Sequence, residues 1–499
     1  MNVAGFSIYC MRDACPGALP GGTTAQHVKG RSGMTIHGAV CALVACVSLV
    51  ALSACGDEAT APPRAPDMAK AGINPLAAEV RQLILTPNRV ITPMERAPVV
   101  RPALVHLGQA LAFDKILSGN RDIACMTCHL PALGTGDFRS LSIGQGATGL
   151  GASRVHPEGL FIPRNAPPLF NLHENKPMFW DGRIFQDDAG TFHTPAGLGI
   201  TSAMMPVFEF GTISMLPMFP VLSREEMRAF GDDNELSLIS DAEPGLVWQA
   251  IMARLGAIPE YRQMFEKAYP GQRFNNMTFA HASNAMAGFL LSKLAFSNTP
   301  WDRFLAGDDG AMTTVQLQGA KSFMTTGRCA GCHNGPALTD NKFHNVAVAQ
   351  FGPGNDDDGV VGSREDFGRE RVTGNAAERY AFRTPPLRNV ELTAPYGHDG
   401  AFFSLREFVV HYSESTLKLQ NYDIAQLEPL LQGTVLDNFA DILLTRDPAL
   451  RTLEFSEQAA DDMTEFMKAL TDPAARTLIG VIPMRVPSGL SIDGQPGRR

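Results

Sequence analysis

The sequence has no excess of positive charge. Its 42 Lys and Arg residues are outnumbered by 51 Asp and Glu residues, which gives a formal net charge of −9 over 499 residues. A protein that binds a nucleic-acid backbone needs clustered Lys and Arg to neutralise phosphates. Nucleic acid is therefore not an expected partner, and the 44% hydrophobic content indicates a globular chain of more than one domain.

Long apolar runs are also missing. The amino-terminal run 39–51 is too short to span a bilayer. A basic lead precedes this run and small residues follow it, which favours a secretory signal peptide. The sequence Leu-Ser-Ala-Cys at 52–55 resembles the lipobox of bacterial lipoproteins and predicts cleavage before Cys55 and acylation of that thiol; an ordinary signal cleaved nearby is the alternative. We expect a signal peptide over 1–54, with several possible start methionines, and then a lipid-anchored, Pro- and Ala-rich linker over 55–101 with one short helix near 76–85.

Cysteine is scarce beyond Cys55. The remaining four cysteines form two Cys-x-x-Cys-His motifs, made of Cys125, Cys128 and His129 and of Cys329, Cys332 and His333. No thiol is left for a structural disulfide. The spacing suits covalent c-type haem attachment, because two thiols one helical turn apart meet the two vinyl groups of a porphyrin and the next side chain reaches the iron.

Two other readings of the motifs are weaker. A thioredoxin-like Cys-x-x-Cys site needs a βαβ context and no following His. A zinc ribbon needs two close cysteine pairs, whereas these pairs are roughly 200 residues apart. The sequence therefore predicts two covalently bound c-type haems, and export agrees with this because haem is attached to such motifs outside the cytoplasm.

Hydrophobic periodicity predicts a helix before each haem motif, at Pro102–Phe113 and Thr314–Met324. Two further amphipathic helices are predicted at 244–255 and 278–296. The stretch 360–380 is predicted to be a charged surface loop.

These elements give a mainly α fold in which two cytochrome c-type haem domains pack across an inter-haem interface, with long irregular loops. The expected boundaries are 102–300 for the amino-terminal domain and 301–475 for the carboxy-terminal domain. A tail is expected over 476–499.

Several further motifs occur in one order around the haem motifs. They are Ser142-Ile143-Gly144, Arg164-Asn165-Ala166-Pro167, Phe179-Trp180-Asp181-Gly182-Arg183, Glu226-Met227, Arg383-Thr384-Pro385, Leu387-Arg388-Asn389 and Pro395-Tyr396-Gly397-His398-Asp399-Gly400. Together they resemble the bacterial di-haem cytochrome c peroxidase and MauG family over roughly 102–472. The resemblance implies an oxidoreductase that reduces hydrogen peroxide at the amino-terminal haem with electrons from the carboxy-terminal haem, or that uses the oxidising equivalents on another substrate. A di-haem electron-transfer cytochrome without peroxidase turnover is the alternative.

The resemblance also implies roles at the first haem. His129 would be the proximal iron ligand and Glu226 the distal acid and base. Trp180 falls where the family keeps a Trp between the haems. Gln145 occupies the position where many family peroxidases carry a His that blocks the first iron, so an open first iron is expected, with His156 as the alternative ligand.

At the second haem, the resemblance makes His333 the proximal ligand. Tyr412 stands where the peroxidases carry a Met ligand, and MauG-like members have a Tyr there; the adjacent His411 is the alternative. His398 and Arg388 would lie close to the haem propionates.

The resemblance further implies a calcium ion between the domains, bound by the side-chain amide oxygen of Asn165 and the backbone carbonyls of Thr393 and Pro395. The acidic run 356–358 lacks ligand spacing and is expected to be a solvated loop. The segment 185–222 is longer than its peroxidase counterpart; it could wall the distal pocket, bind a partner or line a channel, and its methionines are expected to serve packing.

The expected partners are hydrogen peroxide and a small electron-donor protein such as a cytochrome c or a cupredoxin. Membrane association is expected only through Cys55, and the expected location is the periplasm or cell envelope. The physiological donor, any organic or protein substrate and the oligomeric state do not follow from the sequence.

Overall fold

α-Helices make up most of the regular structure in the computed structural model, which describes residues 74–355 and 364–495. The α-helices of this part are α1 Pro75–Leu83, α2 Pro102–Phe113, α3 Cys125–Cys128, α4 Thr212–Met215, α5 Pro244–Gly256, α6 Pro259–Ala268, α7 Phe279–Lys293, α8 Pro300–Leu305, α9 Thr314–Met324, α10 Glu370–Thr373, α11 Leu405–Ser413, α12 Ser415–Gln420, α13 Pro429–Gln432, α14 Phe439–Leu444 and α15 Glu457–Lys468. Short 3₁₀ turns and long irregular loops connect them. The predicted mainly α class is confirmed.

The strands of the described residues are short and form two antiparallel pairs. β1 Phe185–Gln186 pairs with β2 Phe192–His193, with Phe185 opposite His193. β3 Phe343–His344 pairs with β4 Phe382–Arg383, with His344 opposite Phe382. The second pair joins the segment that follows the second haem motif to a segment about 40 residues further along the chain.

The helix before each haem motif has the predicted bounds. Pro102 begins α2, where its fixed φ and missing N–H are tolerated. α9 begins after Thr313, which exchanges side-chain and backbone hydrogen bonds with Gln316. The predicted helix 244–255 is one residue longer as α5, and the predicted helix 278–296 ends earlier, at Lys293 in α7.

The first hydrophobic core surrounds the crossing of α2 and α7. Leu104, Leu107 and Leu111 of α2 are fully buried there. The two helices approach so closely at Gly108 that a Cβ atom on this residue would lie 1.8 Å from the carbonyl oxygen of Ala285. Glycine is therefore required at this crossing, and the contact fixes the helix that leads into the first motif.

The second core repeats this arrangement with α9 and α15. A Cβ atom on Gly319 would lie 1.8 Å from the carbonyl oxygen of Asp462. Phe323 of α9 packs edge-on against Phe466 of α15, with ring centroids 5.2 Å apart. Each haem motif thus follows a helix that is held by a glycine contact with a later helix.

Both terminal segments of the described chain pack on these cores. α1 lies within the interval predicted as a linker, close to the expected short helix, and its Ala77 and Val80 are buried in the second core. Leu478 and Ile492, in the interval predicted as a tail, are buried in the first core. The parts of these two intervals that the structure describes are therefore folded, because each carries apolar residues that a core covers.

The prediction of a surface loop over 360–380 is only partly wrong, since 373–377 is exposed but other described positions are buried. Asp366, Arg369 and Tyr380 are all less than 10% exposed. Asp366 is buried because it accepts two hydrogen bonds from Arg164, a contact that joins positions far apart in the sequence.

The predicted signal peptide, Cys55 and the acidic run 356–358 lie outside the described residues. Across 74–355 and 364–495, every helix is too short or too polar to cross a bilayer.

Candidate functional site

The first haem motif forms a single helical turn, α3, which ends at Cys128 and is followed by His129 as its C-cap. Thr127 closes this turn by accepting a hydrogen bond from the backbone N–H of Ala124 at 2.9 Å. The His129 Nδ1 atom lies 2.9 Å from the carbonyl oxygen of Thr135. Nδ1–H therefore donates to this carbonyl, and burial lowers the pKa of His129, so that a neutral Nε2 is left as a metal ligand.

A cavity of about 1150 Å³ opens beside this turn and is lined by Cys125, Cys128 and His129. Its volume exceeds that of an ordinary small-molecule pocket. Both thiols are free of disulfides. A pair of free thiols and an oriented imidazole on one large cavity fit a covalently attached haem.

Glu226 lines the same cavity from a π-helical turn, Arg224–Arg228, a local geometry that is frequent at functional sites. Its backbone N–H donates to Ser223 Oγ at 3.2 Å. Burial raises the pKa of Glu226 to about 7; the cation of Arg183 opposes this shift and the carboxylate of Glu225 adds to it. The neighbouring Glu225 is exposed to solvent and is therefore less suited to a role in a closed cavity.

Gln145 and His156 are not among the residues that line the cavity. Gln145 Oε1 accepts a hydrogen bond from Asn120 at 3.1 Å, and its backbone N–H donates to the carbonyl of Glu226 at 3.0 Å. His156 Nδ1 accepts from the backbone N–H of Glu158 at 3.1 Å. Gln145 therefore contacts the backbone of the π-helical turn that carries Glu226, but it does not line the cavity.

The long segment 185–222 forms one wall of the cavity. Its cavity-lining residues are Phe185, His193, Thr194, Pro195, Ala196, Leu216, Pro217, Phe219, Pro220 and Leu222. Met204, Met215 and Met218 are buried in the first core. The expectation that methionines of this segment serve packing is confirmed for these three.

The second haem motif repeats the proximal geometry of the first. Cys329 begins a 3₁₀ turn, Cys329–Gly331, and neither motif thiol is in a disulfide. The His333 Nδ1 atom lies 2.9 Å from the carbonyl oxygen of Leu338. As at His129, this contact fixes the ring and leaves Nε2 for the iron.

Tyr412 and His411, adjacent on α11, have different surroundings. Burial raises the pKa of Tyr412 well above its ordinary value, and the nearby thiols of Cys332 and Cys329 add to the shift. In the described part of the chain, no hydrogen-bond partner is found for the Tyr412 hydroxyl. The His411 Nε2 atom instead lies 2.8 Å from the carbonyl oxygen of Val346. Tyr412 therefore lies near the thiols of the second motif, whereas one His411 ring nitrogen is hydrogen-bonded to the Val346 carbonyl.

Trp180 lines the first cavity and forms hydrogen bonds with Asn165 and with β4. Its Nε1–H donates to the carbonyl oxygen of Asn165 at 2.9 Å. The carbonyl oxygen of Trp180 accepts from the backbone N–H of Arg383, in β4, at 2.8 Å. Trp180 therefore lies between the first cavity and the strand pair that follows the second haem motif.

Comparison with known proteins agrees with this geometry. A family model described as di-haem cytochrome c peroxidase matches residues 102–310. Cytochrome c551 peroxidase of Pseudomonas aeruginosa is 32% identical over 318 residues, which cover 63% of this chain and 72% of that protein. The chain belongs to the di-haem cytochrome c peroxidase and MauG family. Methylamine utilization protein MauG of Methylorubrum extorquens is 27% identical over 438 residues, which cover 88% of this chain and 95% of that protein.

Solved structures share the fold. A MauG-like protein associated with microbial copper homeostasis superposes with a TM-score of 0.54 at 24% identity, covering 78% of this chain and 95% of that one. The di-haem peroxidase BthA from Burkholderia thailandensis superposes with a TM-score of 0.53 at 18% identity, covering 81% of this chain and 95% of that one.

Family membership makes this chain a peroxidase-type oxidoreductase with two c-type haems. The alternative of an electron carrier without turnover is not favoured. Both Cys-x-x-Cys-His turns fit this assignment, because each presents two free thiols and one oriented histidine.

The two residues expected at the propionates of this family have protein partners. The His398 ring stacks on the Phe382 ring, with centroids 3.5 Å apart. The backbone carbonyl oxygen of His398 accepts a hydrogen bond from the backbone N–H of Asn165 at 3.0 Å. The Arg388 guanidinium forms a 2.6 Å ion pair with Asp302. It also donates to the carbonyl oxygen of Pro336, three residues after His333, at 3.0 Å.

The three residues expected to bind calcium occupy neighbouring segments. Asn165 Nδ2 donates to the carbonyl oxygen of Arg139 at 2.8 Å, which leaves Oδ1 for another partner. The same Nδ2 is 3.5 Å from the carbonyl oxygen of Ser140. Ser140 and Pro395 both lie within 3 Å of the position that a Cβ atom on Gly400 would take. No N–H donor to the carbonyls of Thr393 or Pro395 is found in the described residues, so oxygen ligands are available there.

The sequence reasoning missed a buried ionic network next to the cavity. Arg164 donates to Asp366 at 2.7 Å and to Asp181 at 2.6 Å. Asp181 also pairs with Arg183 at 3.0 Å. Arg164, Asp181 and Arg183 stand in family motifs, which was the available signal; nothing in the sequence near Asp366 distinguishes it from surface acids.

Proposed function

We propose that this oxidoreductase reduces hydrogen peroxide in the cavity beside the first haem motif, with electrons arriving through the haem of the second motif. The observation that carries the proposal is that His129 and Glu226 line the same cavity. Residues 102–300 would then form the peroxidatic domain and residues 301–475 the electron-transfer domain.

The protein groups at the first cavity have distinct tasks in this reaction. A haem held by Cys125 and Cys128, with His129 as its iron ligand, would supply the redox chemistry at this cavity. The Glu226 carboxylate takes the proton from one peroxide oxygen and returns it to the other, which leaves as water. One peroxide, two electrons and two protons thus give two water molecules. A pKa near 7 suits this task because the group can both take and return a proton near neutral pH.

Arg183 supports Glu226 with positive charge. Its guanidinium lies 3.7 Å from the ring centroid of Phe179 and 3.0 Å from Asp181, so its position at the cavity is fixed. A fixed cation partly offsets the rise in the Glu226 pKa and keeps a fraction of the carboxylate ionised at neutral pH.

Tyr412 is proposed as the oxygen ligand of the second haem. A phenolate ligand favours ferric iron more than a Met ligand does and lowers the reduction potential. A low potential at this haem favours storage of oxidising equivalents and their use on a second substrate. The burial of Tyr412 near Cys329 and Cys332 supports this role, and it extends the proposed activity from peroxide reduction to MauG-like oxidation.

A calcium ion is proposed at Asn165, Thr393 and Pro395. Its role would be structural. It would join the segment of Asn165, which accepts the indole hydrogen bond of Trp180, to the segment of Thr393 and Pro395, which leads to His398. We expect about one calcium per chain in purified holoprotein, measured by elemental analysis, and its loss in Asn165→Ala. Asn175→Ala, at another buried asparagine, should retain the metal.

The proposed setting is the periplasm or cell envelope, with a lipid anchor at Cys55 and a small cytochrome c or cupredoxin as electron donor. Globomycin treatment of cells tests the anchor, because a lipoprotein precursor then accumulates, whereas a protein with an ordinary signal does not respond.

The peroxide reaction of the resting protein tests the main proposal. The absorption and EPR spectra of the ferric holoprotein are recorded before and after one equivalent of hydrogen peroxide. A high-spin signal that disappears on addition supports an open first site. Two low-spin signals that respond only after partial reduction would indicate a first iron blocked by His156 or Gln145. Signals that never respond would overturn the proposal in favour of an electron carrier.

A further inference from the structure

His344 is held between two carboxylates beside the second haem motif. Its Nδ1 atom lies 2.6 Å from Asp447 Oδ2 and its Nε2 atom 3.1 Å from Asp340 Oδ2. The Nδ1 atom is also 4.0 Å from Cys332 Sγ, one of the haem attachment atoms. These three residues, His344, Asp340 and Asp447, are called the His344 clasp below.

The contacts define the charge of the clasp. An ionised carboxylate oxygen only accepts hydrogen bonds, so both ring nitrogens must carry protons and the ring is a cation. Each carboxylate also accepts a backbone hydrogen bond through its other oxygen, from Lys342 at 2.9 Å and from Ala449 at 2.7 Å. One cation and two anions leave a net charge of about −1 on a cluster whose side chains are 11–21% exposed.

The clasp is not a metal site in the haem-loaded protein. Cys332, Asp340 and His344 have donor atoms close enough to hold one ion. However, the Cys332 sulfur becomes a thioether on haem attachment, and both His344 nitrogens face separate carboxylates. The cluster therefore lacks a set of donors that converge on one point.

The tight geometry of the clasp keeps its cation in place. Burial opposes the charged form of His344, but hydrogen bonds with Asp340, Cys332 and Asp447 outweigh burial and raise its pKa to about 11. The contribution of Cys332 disappears when its sulfur is a thioether, whereas the two carboxylates remain. The contacts with both carboxylates therefore favour the cationic form of His344 in the haem-loaded protein.

We propose that the His344 clasp places a net negative charge beside the second haem and thereby favours its oxidised over its reduced form. This inference rests on the proposed function, in which the second site holds oxidising equivalents next to Tyr412. A negative charge stabilises the more positive, oxidised iron through Coulomb attraction, and partial burial limits screening by salt. His344 acts here as a positioning residue, since it holds the two carboxylates beside Cys332, whose sulfur attaches the second haem.

The connection of the clasp to the first cavity supports this role. His344 ends β3, which pairs with β4, and Arg383 of β4 donates to the carbonyl oxygen of Trp180. The clasp is thus connected to the first cavity by a short covalent and hydrogen-bonded route through β3, β4 and Trp180. A change in charge at the clasp would alter the driving force for electron transfer between the two haems.

Two substitutions with opposite expected effects test the proposal. Asp447→Asn removes a negative charge and should raise the potential of the second haem, whereas His344→Gln removes the positive charge and should lower it. At a separation of about 12 Å and an effective dielectric constant of about 20, each change should alter the oxidised-to-reduced ratio at fixed potential by about tenfold. For a one-electron couple, tenfold corresponds to about 59 mV.

The measurement is a spectroelectrochemical titration of the full-length protein with both haems attached. The first haem is the internal reference. Glu457→Gln removes an acid that is 70% exposed on α15 and should leave both potentials unchanged, because solvent screens an exposed charge. Asp447→Glu should retain the native potential. If Asp447→Asn loses haem, Asp340→Asn makes the same change of charge on the other side of the ring.

Shifts in the same direction for Asp447→Asn and His344→Gln would overturn the proposal and indicate only a structural role. Equal shifts at both haems, or none at either, would also overturn it. Peroxide reactivity of the ferric protein is recorded separately. Opposite shifts without a peroxide reaction would retain the charge effect and reject the proposed function, while a peroxide reaction without shifts would do the reverse.

Discussion

The indole Nε1–H of Trp180 donates a 2.9 Å hydrogen bond to the carbonyl oxygen of Asn165, whose own N–H donates to the carbonyl oxygen of His398 at 3.0 Å. The ring of Trp180 also lines the first cavity. Trp180 therefore contacts the first cavity and, through Asn165, the segment that carries the second group of family motifs.

Trp180→Phe should slow electron transfer from the second haem to the first. Phenylalanine keeps most of the packing but removes the indole N–H and the more polarisable ring. We expect the transfer rate to fall at least about tenfold, which corresponds to about 1.4 kcal/mol in the barrier. Stopped-flow mixing of the half-reduced holoprotein with peroxide, followed at the absorption of the second haem as it is oxidised, measures this rate.

Trp248→Phe is the matched control for Trp180→Phe. Trp248 is buried in the first core and donates its indole N–H to the carbonyl oxygen of Met218 at 2.9 Å. The Trp248→Phe variant loses the same kind of hydrogen bond, worth about 1 kcal/mol, at a residue that does not line the cavity. Equal slowing in both variants would contradict a relay role for Trp180.

Glu226 should give the peroxide reaction a pH dependence centred near 7. The carboxylate form accepts the peroxide proton, so the rate should rise with pH as Glu226 loses its proton around pH 7. Glu226→Gln cannot accept this proton and should lower the rate about 10²–10⁴-fold and remove the pH dependence. Rapid mixing of ferric protein with peroxide between pH 5.5 and 8.5 tests both expectations.

Glu225→Gln is the control for this profile. Glu225 is exposed, and its negative charge contributes to the raised pKa of Glu226. Its removal should shift the midpoint to slightly lower pH and leave the maximal rate within about twofold, as for a surface charge. A large loss of rate in Glu225→Gln with normal rates in Glu226→Gln would reverse the assignment.

The features that the sequence could predict are local ones. Haem attachment depends on five consecutive residues, so Cys125–Cys128 and Cys329 with its neighbours were recognisable from spacing alone. The helices α2 and α9 follow from hydrophobic periodicity, which also depends only on nearby residues. The family motifs then placed these elements in one mainly α fold.

Contacts between distant positions could not be predicted. Arg164 and Asp366 are separated by 202 positions, and a buried acid has no local signature that separates it from a surface acid. The choice between Tyr412 and His411 as iron ligand also depends on tertiary structure, because neighbouring residues on a helix point about 100° apart. The contact of His411 with the Val346 carbonyl, which joins positions far apart in the sequence, is visible only in the structure.

Tyr412→Phe should change the spectrum of the second haem alone. The substitution removes the phenolic oxygen and keeps the ring, so the second iron loses its proposed anionic ligand and its potential should rise. Tyr422→Phe is the matched control, because the Tyr422 hydroxyl donates to the carbonyl oxygen of Ala401 at 2.6 Å. EPR of the ferric holoproteins checks this; a second-haem signal that changes in His411→Gln but not in Tyr412→Phe would identify His411 as the ligand.

The buried pair of Arg164 and Asp366 should contribute strongly to stability. Asp366→Asn leaves the Arg164 cation with Asp181 as its remaining acidic partner, and breaking a buried pair costs about 3–5 kcal/mol. We expect a loss of about 3 kcal/mol in the free energy of unfolding at pH 7, at the lower end of this range because Asp181 remains. Urea unfolding of the holoprotein, followed by circular dichroism, measures it.

The pH dependence of this difference follows from the Asp366 pKa. Burial opposes ionisation, but the charge and hydrogen bonds of Arg164 outweigh it and hold the pKa below the ordinary 3.8. Because the folded pKa is lowered, the stabilisation is fully present above the unfolded pKa and is lost only as the pH falls through the folded value. The difference between native protein and Asp366→Asn should therefore be constant from pH 8 to 5. Asp233→Asn, at an exposed position before α5, should change stability by less than about 0.5 kcal/mol, and an equally small effect of Asp366→Asn would show that the pair is not stabilising.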